Sequence, residues 1–133
     1  MKKILFAAVL ALAAVCTVSC KSEQIDLAGE WTVISVDGQA VNVEEMPTIA
    51  FNTEDNTYHA RPGINLLNGS YTLKDNVLTL GNGAMTRMAG PENLMLLEDS
   101  IVAKLGTPFT LKLENEVLSL CGADGKVALE LKK

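Results

Sequence analysis

Hydrophobic and polar positions alternate one by one near the end of the chain. Phe109, Leu111 and Leu113 are separated by Thr110 and Lys112, and Val127, Leu129 and Leu131 repeat the pattern. A period of two puts one row of side chains on each face of a strand, so these segments predict strands with one buried face. Turn-forming residues recur at Asp37-Gly38, Glu54-Asp55-Asn56, Lys74-Asp75-Asn76, Gly81-Asn82-Gly83, Glu114-Asn115-Glu116 and Gly122 to Gly125. Between them lie eight predicted strands: Trp31–Val36, Thr48–Phe51, Thr57–Arg61, Ser70–Leu73, Val77–Leu80, Phe109–Leu113, Val117–Cys121 and Lys126–Leu131. The period changes once. Leu94, Leu97, Ile101 and Leu105 follow the spacing of one helical face, widened by Met95, Leu96 and Val102. This predicts a helix over 91–105, with Pro91 at its first position, Glu92 against the positive end of its dipole, and Gly106 closing it in a left-handed conformation. The fold class is mainly β (α+β): a single antiparallel meander of about eight strands, curved or barrel-like, packed on one helix that it covers deeply.

The apolar pattern at the start is of another kind. Lys2 and Lys3 precede an unbroken run from Ile4 to Val15, and small residues then lead to Ser19-Cys20. The run is shorter than the roughly 20 apolar residues that cross a bilayer, and its order is that of a secretory signal peptide. Cys20 at the cleavage point adds the reading of a bacterial lipoprotein, although Thr17 stands where such signals usually carry leucine; an ordinary secretory cut leaving no lipid is the rival. The expected organisation is a signal peptide over 1–19, a lipidated cysteine and tether over 20–26, and one domain over 27–133. Lys21 gives no aspartate signal for inner-membrane retention, so the expected location is the outer membrane of the cell envelope. Losing Lys2 and Lys3 leaves nine basic side chains against sixteen acidic ones, a formal charge of −7. An acidic chain with no Lys/Arg cluster has no footprint for nucleic acid. Cys121 is the only cysteine beyond Cys20, which leaves the domain without an internal disulfide unless Cys20 stays unacylated.

Three stretches in the middle carry a resemblance. Leu27-Ala28-Gly29-Glu30-Trp31 opens the first strand; Gly63-Ile64-Asn65-Leu66-Leu67-Asn68-Gly69-Ser70-Tyr71 follows; Thr86-Arg87-Met88-Ala89-Gly90-Pro91 then leads into a helix holding Glu98. In order and spacing they resemble the META domain (HslJ-like) family of exported bacterial envelope proteins. The resemblance implies a β-rich fold around a helix, and no catalytic residue or cofactor. It marks Trp31, Gly63, Asn65, Gly69, Tyr71, Thr86, Arg87 and Glu98 as motif positions of structural character. Where the family often has two cysteines this chain has Ile64 and Gly90, as expected if a disulfide present in relatives has been dispensed with.

The chemistry-bearing residues give no reactive constellation. His59, the only histidine, sits on a strand beside turn residues as an exposed polar position. No spacing of His, Cys or carboxylates forms a zinc ligand set. Met85, Met88, Cys121 and His59 are soft enough for copper(I), but methionines commonly fill gaps in a core, and that reading is preferred. Arg87 in an apolar neighbourhood needs an acceptor, and Glu98 is the expected partner, as a strap between strand and helix; gripping a partner's carboxylate is the alternative. Gly63 and Asn65 read as a tight turn, Gly63 at positive φ. Cys121 reads as a small buried hydrophobe, and Trp31 and Tyr71 as core or rim aromatics. These readings predict a non-catalytic, lipid-anchored envelope protein without cofactor or metal. Its expected partners are the membrane, through Cys20, and another envelope protein. A carrier of a small apolar ligand inside the barrel is the alternative.

Overall fold

A computed structural model describes residues 24–133; the expected signal peptide and the lipidation site Cys20 lie outside the described residues. Ten strands and one helix follow in order: β1 Gly29–Val36, β2 Gln39–Ala40, β3 Thr48–Asn52, β4 Thr57–Arg61, β5 Leu67–Lys74, β6 Val77–Leu80, β7 Ala84–Met85, α1 Glu92–Leu105, β8 Phe109–Glu114, β9 Val117–Cys121 and β10 Val127–Lys132. Eight of them form a closed antiparallel barrel. The order runs β1-β3-β4-β5-β6-β8-β9-β10, and β10 pairs back onto β1 through Val33↔Leu131 and Val36↔Leu129. The two-residue strands β2 and β7 lie outside this ring, on β1 and β5.

Local chemistry accounts for the tight connections. Asp37-Gly38, Asp75-Asn76 and Asn115-Glu116 have positive φ at both residues, the backbone of turns whose twist matches a right-handed strand pair. A register shift between Val33 and Ser35 in β1 sits on the closing seam, and a second, between Val127 and Leu129 in β10, lies on that strand's other edge, against β9. A bulge bends its strand and increases local twist, which helps a sheet of this size curl onto itself.

The inward row is the apolar one the alternation predicted, except for Leu113 and Val127, which lie near strand ends and are exposed. Val33, Leu78, Leu118, Leu120, Leu129 and Leu131 are fully covered, with Phe109, Ile49 and Tyr58 beside them. Each such large aliphatic contributes about 1.5–3 kcal/mol by leaving water. The β1 bulge interrupts the rhythm so that Ser35 and Val36 are both buried; Ser35 Oγ donates to Glu130 Oε1 at 2.6 Å.

The helix lies across one end of the barrel, near the ends of β1 and β4 and the starts of β5, β8 and β10. Ile101 and Leu105 belong to the barrel's core cluster, and Lys104 Nζ reaches Asp37 Oδ2 at the end of β1 at 2.7 Å. It is covered less than its sequence implies. Only Glu98, Ile101 and Leu105 are buried, and Leu96 is 62% exposed: a helix over an opening presents one narrow stripe to the core. Its ends also differ from expectation. Pro91 (φ −54°, ψ 140°) precedes the first helical turn as its cap residue, and Gly106 is right-handed at φ −78°, ψ −3°. The last turn closes instead through Thr107, whose N–H and Oγ1–H both donate to the Lys104 carbonyl.

A buried carboxylate and the cleft beside it

Two connections meet the helix at its middle. The first, Pro62 to Leu66, joins β4 to β5; the second, Thr86 to Pro91, joins β7 to α1. Glu98 projects from α1 into the first connection and is 2% exposed. Its Oε1 accepts the N–H groups of Ile64 at 2.9 Å and Asn65 at 2.6 Å. Its Oε2 accepts from Asn65 Nδ2 at 2.8 Å. All three contacts are donations to the carboxylate, and two backbone donors that a bend would otherwise orphan are thereby satisfied.

Asn65, itself 3% exposed, carries the bonding onward. Its other amide hydrogen goes to the Met88 carbonyl at 3.1 Å, while Oδ1 accepts from Thr86 Oγ1 at 3.0 Å and Met88 N at 2.5 Å. Both donors and both lone pairs of one amide are thus engaged. Thr86 completes the join: Oγ1 accepts the Leu66 N–H at 2.9 Å, and its own N–H donates to the Leu66 carbonyl at 3.0 Å. No buried side-chain polar atom among the described residues lacks a partner. A satisfied polar network of this kind fixes geometry. It stitches two loops to a helix and engages the Glu98 carboxylate with three donors, two on Oε1 and one on Oε2, at the edge of an open cleft that Glu98 also lines.

Gly63 and Gly90 are small because the backbones come close. A Cβ on Gly63 would lie 2.6 Å from the Leu94 carbonyl and 2.8 Å from Glu98 Cβ, and one on Gly90 would lie 2.6 Å from Ile64 Cδ1 and Cγ1. Gly63 is not among the positive-φ residues; proximity to the helix, rather than a left-handed turn, is what demands glycine. Asn65 likewise bonds to residues distant in sequence and not to its own turn. The Ile64 side chain occupies the space over Gly90, so the two positions where the family often has cysteines are neighbours here.

Arg87 departs from expectation. It is exposed and makes no ion pair among the described residues; Glu98 is held by Asn65 and two backbone N–H groups in its place. The reason is geometric: Thr86 and Met88 both turn toward Asn65, which sends the intervening side chain away from the network. Arg87 instead lines an open cleft of about 620 Å³ with Met85, Met88, Met95, Asp99 and Val102. Met88 is 52% exposed, so it does not fill a core gap as its residue type suggests. Met95 joins the cleft from α1, and its helical spacing to Glu98, Asp99 and Val102 was the signal in the sequence for that grouping.

The remaining motif residues lie elsewhere. Trp31 is buried toward the opposite end, its Nε1–H bonded to the Leu27 carbonyl at 2.9 Å and its ring under Lys133 Nζ at 4.9 Å. Tyr71 packs edge-on against Phe51 with centroids 5.2 Å apart. Gly69 is opposite Tyr58 in the β4–β5 register, where a Cβ would stand 2.8 Å from the Tyr58 ring; the ring crosses the strand there and Tyr58 Oη–H bonds the Gly81 carbonyl at 2.9 Å. His59 is exposed and hydrogen-bonded to Asn68, and Cys121 is a buried free thiol. The structure brings Gly63, Asn65, Thr86 and Glu98 together, with Arg87 at their edge, and leaves Trp31, Gly69 and Tyr71 in the barrel.

That grouping of loop asparagine, threonine and helix glutamate joins the motif stretches to one another. The META domain profile matches residues 23–133. The chain belongs to the META domain family. Among curated proteins none matches it. Solved structures similar to this META domain include a protein known from an NMR structure, at 27% identity and a TM-score of 0.63, covering 80% of this chain and 89% of that one. An NMR structure of a protein from Burkholderia xenovorans is 21% identical with a TM-score of 0.62, covering 85% and 94%. A crystal structure of a DUF4847 family protein from Bacteroides vulgatus is 13% identical with a TM-score of 0.56, covering 81% and 94%. The latter two likenesses are of fold.

Proposed function

We propose that this META domain protein is a non-catalytic, lipid-anchored component of the cell envelope, held to the outer membrane through Cys20, and that its barrel works as an interaction module for another envelope protein. The observation that carries the module reading is the division between a barrel filled by side chains and a cleft on its outside. Val33, Leu118, Leu120, Leu129 and Leu131 are all at 0% exposure within the barrel, which weighs against a carrier holding an apolar guest there. The cleft beside α1, by contrast, offers apolar thioethers and an Arg87 guanidinium with no partner of its own among the described residues. Arg is favoured at protein contacts because its planar head can take a carboxylate in two parallel bonds. A non-catalytic role is supported by the engagement of Glu98 and by the position of His59, which pairs with Asn68 on the exposed face of β4.

Anchoring is tested by fractionation. Wild type is expected in the membrane fraction and Cys20→Ala in the soluble periplasmic fraction; a variant that stays on the membrane would reject lipid as the anchor. Native mass spectrometry of the soluble variant tests the carrier alternative, and a stoichiometric small molecule retained by the domain would favour it over the module.

A further inference from the structure

The chain has five methionines, Met1, Met46, Met85, Met88 and Met95, and three of them line the one cleft beside α1. They reach it from three places: Met85 from β7, Met88 from the following connection and Met95 from the helix. Burial accounts for Met85 in part, since it packs against the barrel core, but Met88 is half exposed and Met95 is only partly covered. We propose that this cleft is a methionine-only site for a soft monovalent metal ion, copper(I) or silver(I).

The chemistry follows from the donors. Thioethers are soft, neutral ligands that select monovalent copper over zinc, magnesium or calcium. Each is carried on three rotatable bonds, so the sulfurs can move together around an ion while the backbone stays fixed by the Asn65–Glu98 network. A thioether has no proton to lose, so binding persists in acid where cysteine and histidine sites release metal. It also forms no disulfide in an oxidising compartment, which suits a site built without cysteine. Arg87 and Asp99 both line the cleft, and the carboxylate offsets the guanidinium near an incoming cation. This proposal does not depend on lipid anchoring or on a protein partner.

The test is a silver(I) titration of the full chain in detergent, observed through methionine methyl carbons by NMR. One equivalent is expected to shift the methyl signals of Met85, Met88 and Met95 and to leave Met46, which lies by the β3–β4 face, in place. Affinity at pH 5 is expected within about threefold of that at pH 7, and one equivalent of zinc is expected to shift nothing, as thioether preference dictates. The single changes Met85→Leu, Met88→Leu and Met95→Leu keep the apolar volume; each is expected to weaken binding at least about tenfold through the lost ligand with an unchanged Trp31 fluorescence spectrum. Equal shifts at Met46, no shift at the three cleft methionines, or leucine variants that bind as wild type does would each overturn the site.

Discussion

Replacing Asn65 and Glu98 separately and together tests whether their contact holds the loops to the helix. In Glu98→Gln the side-chain oxygen must stay toward the Ile64 and Asn65 N–H groups, since the amide nitrogen there would face two donors. The new NH₂ then meets Asn65 Nδ2 where Oε2 had been at 2.8 Å. One charge-assisted bond, which contributes about 1.5–3 kcal/mol, is exchanged for two facing donors, giving an expected loss of about 3 kcal/mol. Asn65→Asp sets a second carboxylate at the same distance, and the expected loss at neutral pH is again about 3 kcal/mol. The double variant restores the bond with its polarity reversed, the new amide on the helix donating to the new carboxylate in the loop. It still loses the amide bond to the Met88 carbonyl, so it is expected to recover about 2 kcal/mol of the summed losses. Urea unfolding followed by Trp31 fluorescence measures all four states, against a total stability of about 5–15 kcal/mol for a domain of this class. The Asn65→Asp single variant adds a check of sign. Its two facing carboxyls take up a proton on folding that the unfolded chain does not hold, so its stability should rise as pH falls from 7 toward 5, by up to about 1.4 kcal/mol per pH unit. Additive losses within about 0.5 kcal/mol, with no gain in acid, would refute the reasoning.

Three further outcomes are expected. Gly63→Ala should lower stability by about 1–3 kcal/mol, because the added carbon meets the Leu94 carbonyl and Glu98; a melting temperature equal to wild type would remove the close approach from the account. The pair Ile64→Cys and Gly90→Cys should form a disulfide on oxidation and, for a loop of this length, raise stability by about 3 kcal/mol, read as the difference in urea midpoint with and without reductant, whereas wild type should unfold identically in both. Burial raises the Tyr58 phenol above the usual tyrosine value, and burial followed by the charges of Asp26 and Asp55 does the same for Tyr71. Both tyrosines keep protons in the folded state that the unfolded chain releases, so their contribution is complete below pH 10.0 and fades as pH rises through the folded values. Tyr71→Phe should flatten that alkaline loss in denaturation curves, and an unchanged slope would count against it.

The barrel was legible because its signals are local. Alternation at Phe109–Leu111 and Leu129–Leu131 records which face is buried, though Leu113 and Val127 at the outer ends of the same pattern are exposed, and Asp75-Asn76 and Asn115-Glu116 record the turns. Closure of the sheet was less accessible: it depends on bulges in β1 and β10 and on pairing between chain ends, which no local window contains. The short strands β2 and β7 went unseen because two residues have no period. At the site, the motif positions were visible but the bonding was assigned by charge alone, Arg87 to Glu98. Glu98 is satisfied instead by two backbone N–H groups and the Asn65 amide, partners that carry no charge and leave no mark in a charge pattern. The cleft was missed for a related reason: methionine is ordinarily a gap filler, and only the three-dimensional fold shows Met88 standing open beside Met95.

The central claim, that the cleft beside α1 is the interaction face of an envelope module, is tested most directly in cells. A photo-crosslinking amino acid would be placed in the full-length chain at Ala89, which lines the cleft, and, as a control, at Thr72, exposed on the barrel wall. The account predicts a discrete adduct with one envelope protein from position 89, absent from position 72 and lost in Arg87→Met while the domain stays folded. The same products from both positions, or an adduct at 89 indifferent to Arg87, would contradict it.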